Sequence, residues 1–208
     1  MKKILIVLYT IFLSFTVLAS EYTNKKEYTI EKKNIYDVPE VMNFFSFFCP
    51  YCYKLEKIYK IHHLLKNKID QKIKKKNYHV NFLGGNLGKT LTKAWIIAQK
   101  MKVEEKIMLP IFQGIQETNT INNAASIKDI FLKEAGVNSD KYNKFWNSFT
   151  LKILIRKNNQ DVKKAKLNYV PSMLINGKYL INYFKLEKIF KKDFSKKYIN
   201  LLYFLIKK

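Results

Sequence analysis

The sequence predicts an α/β protein in which a run of helices interrupts a chain of strands. Residues 41–48 form a nearly continuous apolar stretch rich in aromatic residues, as expected of a central strand covered on both faces. Apolar residues then recur at helical spacing between residues 91 and 149. Asn176-Gly177 later separates two short strand-like segments, which is a strong signal for a β-hairpin. The strand-forming part of the chain is therefore discontinuous in sequence.

The first 19 residues have the layout of a secretory signal peptide. Lys2 and Lys3 give a short cationic start, and the apolar stretch over residues 4–18 is shorter than the ~20 residues that span a bilayer. Small residues around Ala19 suit cleavage, so we expect an exported chain that begins near Ser20. An uncleaved membrane anchor is the alternative, which the polar residues within the stretch disfavour.

Alternation and composition predict five strands, at residues 27–30, 41–46, 78–82, 172–176 and 178–181. The first is expected at an edge of the sheet and the second at its centre. The third is inferred from the alternation of Tyr78, Val80 and Phe82.

Helical spacing of apolar residues predicts helices over residues 55–65, 91–98, 127–131 and 142–149, and a last helix from residue 186 to about residue 205. Ser126 is expected to cap the third helix, and Gly136 should end it. Ser139 is expected to cap the fourth helix, with Phe149 on its apolar face.

The formal net charge of +23 falls to +21 when Lys2 and Lys3 are removed with the signal peptide. Such a charge is compatible with nucleic-acid binding. However, only Arg156 among the 39 basic residues is an arginine, whereas base-reading proteins depend on the planar arginine fork. The abundance of Lys, Asn, Ile, Phe and Tyr is explained by AT-rich codons. We therefore expect no specific nucleic-acid partner.

The sequence contains two cysteines, which flank a dipeptide as Cys49-Pro50-Tyr51-Cys52. A disulfide between them would stabilise the fold little, because the stabilisation grows with the length of the closed loop. Two sulfurs held this close are better suited to alternate between dithiol and disulfide. Export would place the chain in the oxidising conditions under which such a disulfide forms.

The two cysteines lie where the apolar strand turns into a helix, which places Cys49 at a helix N-terminus and Pro50 in the first turn. The partial positive charge and free N–H groups at that position favour a thiolate. A lowered pKa would make Cys49 the attacking sulfur and a good leaving group. Cys52, one turn further, is expected to be less exposed and to act as the resolving partner.

The segment FFSFFCPYCY at residues 44–53 resembles the active-site segment of the DsbA family of periplasmic disulfide oxidases. Further segments resemble the family in the same order, at residues 78–82, 84–89, 146–149, 170–171 and 176–179. The similarity runs from about residue 28 to residue 179 and weakens in the C-terminal tail.

The resemblance implies a thioredoxin fold with an inserted all-helical domain. It divides the chain into a signal peptide at residues 1–19, thioredoxin parts at residues 20–83 and 158–208, and a helical insertion at residues 84–157. It also implies that Pro171 is cis and lies beside the cysteines, although only about 5% of X-Pro bonds are cis in general. Because proline has no N–H, the backbone at Val170 is expected to pair with an extended substrate segment.

The function implied by the resemblance is a periplasmic thiol:disulfide interchange protein that introduces disulfide bonds into exported polypeptides without a cofactor or metal. A DsbB-like membrane quinone reductase would reoxidise it, and the chain would act as a monomer. A reductase or isomerase with a glutaredoxin-like poise is one alternative, because CPYC alone permits it. Another is a basic, non-enzymatic binding module in which Cys49 and Cys52 form a structural disulfide.

Two departures from the family bear on the site. Tyr51 stands where the family usually has a histidine, whose charge would stabilise the thiolate, so we expect a less oxidising couple. Asn43 and Asn77 together replace a buried glutamate and a nearby lysine, which avoids an uncompensated buried charge. Glu56, one turn after the second cysteine, remains a candidate acid–base neighbour, although a solvated carboxylate is more common on a helix.

Three other patterns do not predict sites. Residues 83–90 end like a phosphate-binding loop, but Leu83 occupies the first required glycine position, so we interpret them as a connecting turn. The two cysteines with His62 and His63 fit no usual zinc spacing, and adjacent helical histidines point about 100° apart. His79, on a predicted strand, is expected to be packed and hydrogen-bonded.

Overall fold

The computed structural model describes residues 22–208. The predicted signal peptide at residues 1–19 and the expected start at residue 20 lie outside the described residues. Between residues 22 and 208 no helix is long and apolar enough to cross a membrane.

A five-stranded mixed sheet forms one layer of the molecule, with the strand order β1-β5-β4-β2-β3. The strands are β1 (Tyr28–Ile30), β2 (Val41–Phe45), β3 (Lys75–His79), β4 (Ser172–Ile175) and β5 (Tyr179–Asn182). Strand β2 pairs in parallel with β3 and antiparallel with β4. The predicted edge strand, the buried strand flanked on both sides and the C-terminal hairpin are therefore confirmed.

Nine α-helices pack on the sheet within residues 22–208. They are α1 (Pro50–Tyr59), α2 (Ile61–Lys68), α3 (Gly85–Met101), α4 (Glu104–Gln116), α5 (Ala124–Ala135), α6 (Ser139–Trp146), α7 (Phe149–Lys164), α8 (Tyr183–Phe190) and α9 (Phe194–Ile206). Helices α3 to α7 lie between β3 and β4 in the chain, as the inserted helical run predicts. The predicted boundary at residue 157 falls inside α7, which continues to Lys164.

All five residues of β2 are buried, because a hydrophobic core lies on each side of the sheet. One core joins the strand to the inserted helices through Trp95, Phe112 and Phe131. The other joins the sheet to α2, α8 and α9 through residues such as Leu65 and Leu201. The strand that leads into the cysteine pair is therefore fixed from both faces.

The third strand was predicted in the wrong place. It runs from Lys75 to His79, in register with Val41 to Phe45 of β2. Residues after His79 have no ladder partner because β2 ends at Phe45. The alternation of apolar residues that suggested residues 78–82 therefore belongs mostly to the connection into α3.

Several helix ends also differ from the predictions. Lys60 is left-handed, with φ of 48°, and divides the predicted helix over residues 55–65 into α1 and α2. The last helix is interrupted by a 3-10 turn at Lys191–Asp193. Asn123 caps α5, with Ser126 as the third residue of a capping box, and Gly136 ends the helix as predicted.

Two further predictions concern α6 and α7. Asn138 caps α6, one residue before the predicted Ser139, because the asparagine carbonyl accepts the first free N–H groups. Phe149 does not lie on the apolar face of α6. It begins α7 after the Ser148 cap and is 71% exposed.

Residues 80–84 connect β3 to α3, and the interpretation of residues 85–90 as part of a connecting turn is wrong because they begin α3. Gly84 has φ of +77° and packs against the Phe48 ring, where an added Cβ would lie 2.1 Å from the ring. At Gly88 an added Cβ would lie 2.0 Å from the backbone oxygen of Leu83. Gly84 is therefore needed for its backbone conformation and its packing on Phe48, and Gly88 is needed for the close approach of the Leu83 backbone.

We predict that Gly88→Ala destabilises the protein by about 3 kcal/mol, because backbone atoms cannot move aside as a flexible side chain can. Gly85→Ala is the matched control, since nothing lies within 4 Å of its added Cβ and only its φ of +54° opposes the change. It should lower the free energy of unfolding by only ~1 kcal/mol. Urea denaturation measures both. Helix propensity alone would make Gly88→Ala more stable by ~1 kcal/mol, and that result would contradict the packing argument.

Candidate redox site at Cys49 and Cys52

Cys49 is the N-cap of α1, and Pro50 occupies the first helical position. The Cys49 sulfur accepts a hydrogen bond from the backbone N–H of Cys52 at 3.1 Å. Both cysteines are free thiols, so the structure describes the dithiol form. The two cysteines have the same exposed fraction, 5%, but Cys52 is the more deeply buried of the two, as predicted. The short turn buries both residues under neighbouring segments.

The surroundings separate the pKa values of the two thiols. A hydrogen bond from the Cys52 side chain lowers the pKa of Cys49, and the N–H groups of Cys52 and Tyr51 lower it further, against the effect of burial. Burial raises the pKa of Cys52 well above its usual value, and the neighbouring Cys49 raises it again. The couple therefore has one sulfur prepared to ionise and one that holds its proton.

The Val170–Pro171 peptide bond is cis and lies beside the cysteines. The Cys49 thiol donates a hydrogen bond to the Val170 carbonyl oxygen at 3.5 Å. Pro171 and the second cysteine, Cys52, line the same small cavity. The structure thus brings the predicted redox and substrate-binding residues together across 121 positions of sequence.

The Tyr51 side chain points to α8 and not to Cys49. Its hydroxyl donates a hydrogen bond to Glu187, and its ring lies 4.3 Å from the Phe184 ring. Partial burial and the Glu187 carboxylate raise the pKa of the Tyr51 phenol. Glu187 also forms an ion pair with Lys54, at 2.7 Å. The phenol is therefore held neutral and stabilises no thiolate.

Glu187 and Phe184 were not found by sequence reasoning. They lie more than 130 positions after Tyr51, on a helix whose start the sequence did not locate. The aromatic and acidic residues of α8 follow an ordinary amphipathic pattern. Only the packing of α8 against α1 shows that they reach the cysteine motif.

Asn43 and Asn77 face each other across β2 and β3 and form a hydrogen-bonded amide pair of 2.8 Å. The Asn77 amide nitrogen also donates to His62 Nδ1 at 2.7 Å. The side-chain amide oxygen of Asn43 accepts a hydrogen bond from the Tyr183 hydroxyl at 3.2 Å. The Tyr183 hydroxyl is also hydrogen-bonded to the Tyr198 hydroxyl at 2.5 Å. A network of hydrogen-bonded neutral side chains therefore occupies the interior at the two positions where the DsbA family is expected to carry charges.

Glu56 is 8% exposed, so the expectation of a solvated helix carboxylate is wrong. The chain turn at Lys60 folds α2 back over the carboxylate, and the His62 N–H donates to it at 3.0 Å. Burial raises the pKa of Glu56 to about 7, although the His62 hydrogen bond acts in the opposite direction. Glu56 and Cys52 line the same small cavity.

The histidines do not form a metal site in the described part of the chain. His62 is buried and bonds Asn77, whereas the side chain of His63 is 58% exposed. Among residues 22–208, no three His, Cys, Asp or Glu side chains are grouped to hold a metal ion. His79 is fully buried and bonds Thr92 at 2.8 Å, which confirms the prediction of a packed, hydrogen-bonded residue.

Comparison with protein families matches residues 40–191 to the DSBA-like thioredoxin domain. The chain is 69% identical to a thiol:disulfide interchange protein DsbA of Buchnera aphidicola subsp. Schizaphis graminum, over 100% of both chains. It is 42% identical to DsbA of Escherichia coli strain K12, over 88% of this chain and 87% of that protein.

Two solved structures of DsbA from Proteus mirabilis are also similar. The disulfide oxidoreductase itself superposes with a TM-score of 0.83 at 33% identity, over 91% of this chain and 99% of that chain. A variant with a non-covalently bound peptide superposes with a TM-score of 0.82 at 32% identity, over 90% of this chain and 100% of that chain. The architecture is therefore a thioredoxin fold with a helical insertion.

We predict that Glu56→Gln removes a pH dependence of stability. The native pKa of Glu56 is raised to about 7, so folding retains the proton and stability is lost as the pH rises from about 4.5 to above 7. At pH ~8 the amide variant of the oxidised protein should be more stable by on the order of 2–3 kcal/mol, and at pH ~4 the difference should vanish.

Urea denaturation at the two pH values measures this difference. Glu134→Gln, an exposed residue of α5, is the control and should change stability little at either pH. A Glu56→Gln variant that loses stability at pH ~8 would show that the ionised carboxylate is not penalised by burial.

Proposed function

The chain belongs to the DsbA-like family of thioredoxin-domain proteins and is a thiol:disulfide interchange protein, and we propose that Cys49 and Cys52 form its redox couple. The single observation that carries this proposal is the position of the Cys49 sulfur. It caps a helix, accepts an N–H and contacts the carbonyl that precedes Pro171. Such a sulfur can ionise and meet a substrate backbone at the same place.

Disulfide transfer then proceeds in two exchanges. A substrate thiolate attacks Cys49 of the Cys49–Cys52 disulfide, a mixed disulfide forms, and Cys52 leaves and is protonated. A second substrate thiolate attacks the substrate sulfur of the mixed disulfide, and Cys49 leaves as a thiolate. The substrate loses two electrons and the enzyme gains them. The lowered pKa of Cys49 makes it a good leaving group in the second exchange.

Glu56 is the proposed proton donor to Cys52 in the first exchange. A thiolate formed at Cys52 is unfavourable because burial raises its pKa. A carboxyl group with a pKa of about 7 is partly protonated at neutral pH and lines the same cavity. Pro50 orients the helix start, and Tyr51 borders the couple on the α8 side.

Val170 and Pro171 are the proposed substrate-binding residues. The Val170 carbonyl oxygen lies 3.5 Å from the Cys49 sulfur, and an extended chain could pair with the Val170 backbone by strand addition. The structure of the Proteus mirabilis relative with a bound peptide supports recognition of polypeptide segments. The substrates would be reduced, exported polypeptides.

Export and reoxidation complete the proposal. Residues 1–19 would direct the chain to the periplasm and be removed, and residues 84–157 would act as the inserted helical domain. A DsbB-like membrane quinone reductase would accept the two electrons and restore the disulfide. The protein would act as a monomer without a bound cofactor.

The reactivity of Cys49 with iodoacetamide separates this function from a basic binding module with a structural disulfide. We predict that Cys49 of the reduced protein reacts well below pH ~8.5, the ordinary cysteine pKa, because its thiolate is stabilised. Cys49→Ser identifies the signal of Cys52, which should remain unreactive over the same range. Alkylation of both cysteines only above pH ~8.5, or resistance of the disulfide to reduction, would defeat the proposal.

Substitution of Tyr51 tests how oxidising the Cys49–Cys52 couple is. We predict that Tyr51→His makes the couple more oxidising, because an imidazolium would stabilise the Cys49 thiolate and hence the reduced form. One pKa unit of stabilisation corresponds to roughly 30 mV. Redox titration against glutathione compares the variant with the natural sequence, and Tyr51→Phe controls for loss of the phenol. Equal potentials for all three proteins would contradict the argument.

A further inference from the structure

Both backbone polar groups of Phe47, two residues before Cys49, are hydrogen-bonded to side chains. Its N–H donates to His79 Nε2 at 3.2 Å. Its carbonyl oxygen accepts Gln116 Nε2 at 2.6 Å, and the same nitrogen also reaches the Cys49 carbonyl oxygen at 3.2 Å. The turn that presents the sulfur is therefore held by two side chains from outside the motif.

His79 can accept this bond only in one tautomer. Its other ring nitrogen, Nδ1, lies 2.8 Å from the Thr92 hydroxyl oxygen. The Thr92 hydroxyl donates its own hydrogen to the Gly88 carbonyl at 3.1 Å, so its oxygen accepts a hydrogen bond from the His79 Nδ1–H. Complete burial lowers the pKa of His79 to about 3, which keeps the ring neutral at any physiological pH. Thr92 therefore fixes Nε2 as the acceptor for Phe47.

Gln116 acts on the other side of the turn from the last position of α4. The Cys49 carbonyl that it contacts also accepts the Tyr53 N–H at 3.1 Å, in the first turn of α1. Two carbonyl oxygens of the turn, those of Phe47 and Cys49, thus accept hydrogen bonds from one amide group. The amide hydrogens offset the negative ends of these carbonyl dipoles.

Thr92 and Gln116 belong to different helices of the insertion, α3 and α4. We propose that the helical insertion sets the reactivity of Cys49 by holding the Phe47 N–H and the Phe47 carbonyl oxygen, with Gln116 and the Thr92–His79 pair as positioning residues. These contacts to Phe47 are called the clamp below. This inference rests on the proposed role of Cys49 as the reactive sulfur. It assigns the insertion a part in the chemistry beyond covering the sheet.

The sensitivity of the thiolate to this clamp has a simple physical basis. The Cys49 sulfur is stabilised by the Cys52 N–H at 3.1 Å, a hydrogen bond that depends on the direction of the turn. Loss of the Gln116 amide would loosen the turn and leave the Phe47 carbonyl without this donor, while the Cys49 carbonyl would keep only the Tyr53 N–H. Both effects disfavour negative charge on the sulfur and shift the equilibrium towards the thiol.

The first test is Gln116→Met in the full chain, which keeps side-chain volume and removes the donor. The alkylation rate of Cys49 by iodoacetamide at a pH below its pKa should fall about fivefold, as expected for loss of one hydrogen bond to the thiolate's surroundings. The matched control is Gln113→Met, an exposed residue one turn earlier on α4, which should alkylate like the natural sequence. A merely structural role would lower the free energy of unfolding of Gln116→Met without moving the pH profile, and that result would overturn the inference.

The second test uses Thr92 and decides the matter if Gln116→Met does not fold. Thr92→Val removes the acceptor for His79 Nδ1, whereas Thr92→Ser retains the hydroxyl. We expect the pH profile of Cys49 alkylation to move upward in Thr92→Val and to stay near the natural one in Thr92→Ser. Unchanged profiles in both would overturn the role of the Thr92–His79 pair.

Failure of the two proposals would look different. If Cys49 of the natural sequence reacts only above pH ~8.5, the proposed function fails and the positioning residues have nothing to act on. If it reacts at lower pH and every variant keeps that profile, only the clamp fails. If Gln116→Met and Thr92→Val shift the profile while Gln113→Met and Thr92→Ser do not, the clamp is supported.

Discussion

The hydrogen bond from the Cys52 N–H to the Cys49 sulfur is the interaction on which the remaining chemistry depends. It exists because a strand buried on both faces ends in a short turn, and a proline at the next position starts a helix there. The free N–H groups of that helix start have no carbonyl partners, so a sulfur at the N-cap satisfies one of them. The proposed reactivity of Cys49 thus depends on how β2 ends.

Uncharged side chains stand at the positions near the cysteines where the DsbA family is expected to carry charged ones. Tyr51 is tied to Glu187 on α8, and an amide pair occupies the interior between β2 and β3. The Glu56 carboxyl group shares a cavity with Cys52. The thiolate is therefore stabilised by N–H groups and the neighbouring thiol, without a cationic side chain in the motif. We expect such a site to be less oxidising than one with a histidine between the cysteines.

Local sequence predicted the parts of the fold that depend on local rules. The Asn176-Gly177 turn, Gly136 at the end of α5 and the proline at the start of α1 follow from backbone preferences, and all are present. The place of β3 was missed because its ends are set by the length of β2. The contacts of Glu187 and Gln116 with the cysteine motif could not be predicted, since they depend on how distant helices pack.

The central claim is that the two thiols differ electrostatically, and titration of thiolate ultraviolet absorbance in the reduced protein tests it most directly. The structure predicts two separate steps, with one thiolate formed below pH ~8.5 and the second only well above it. Cys52→Ser should keep the lower step, because that step belongs to Cys49. A single transition of both thiols near pH ~8.5 would contradict the account.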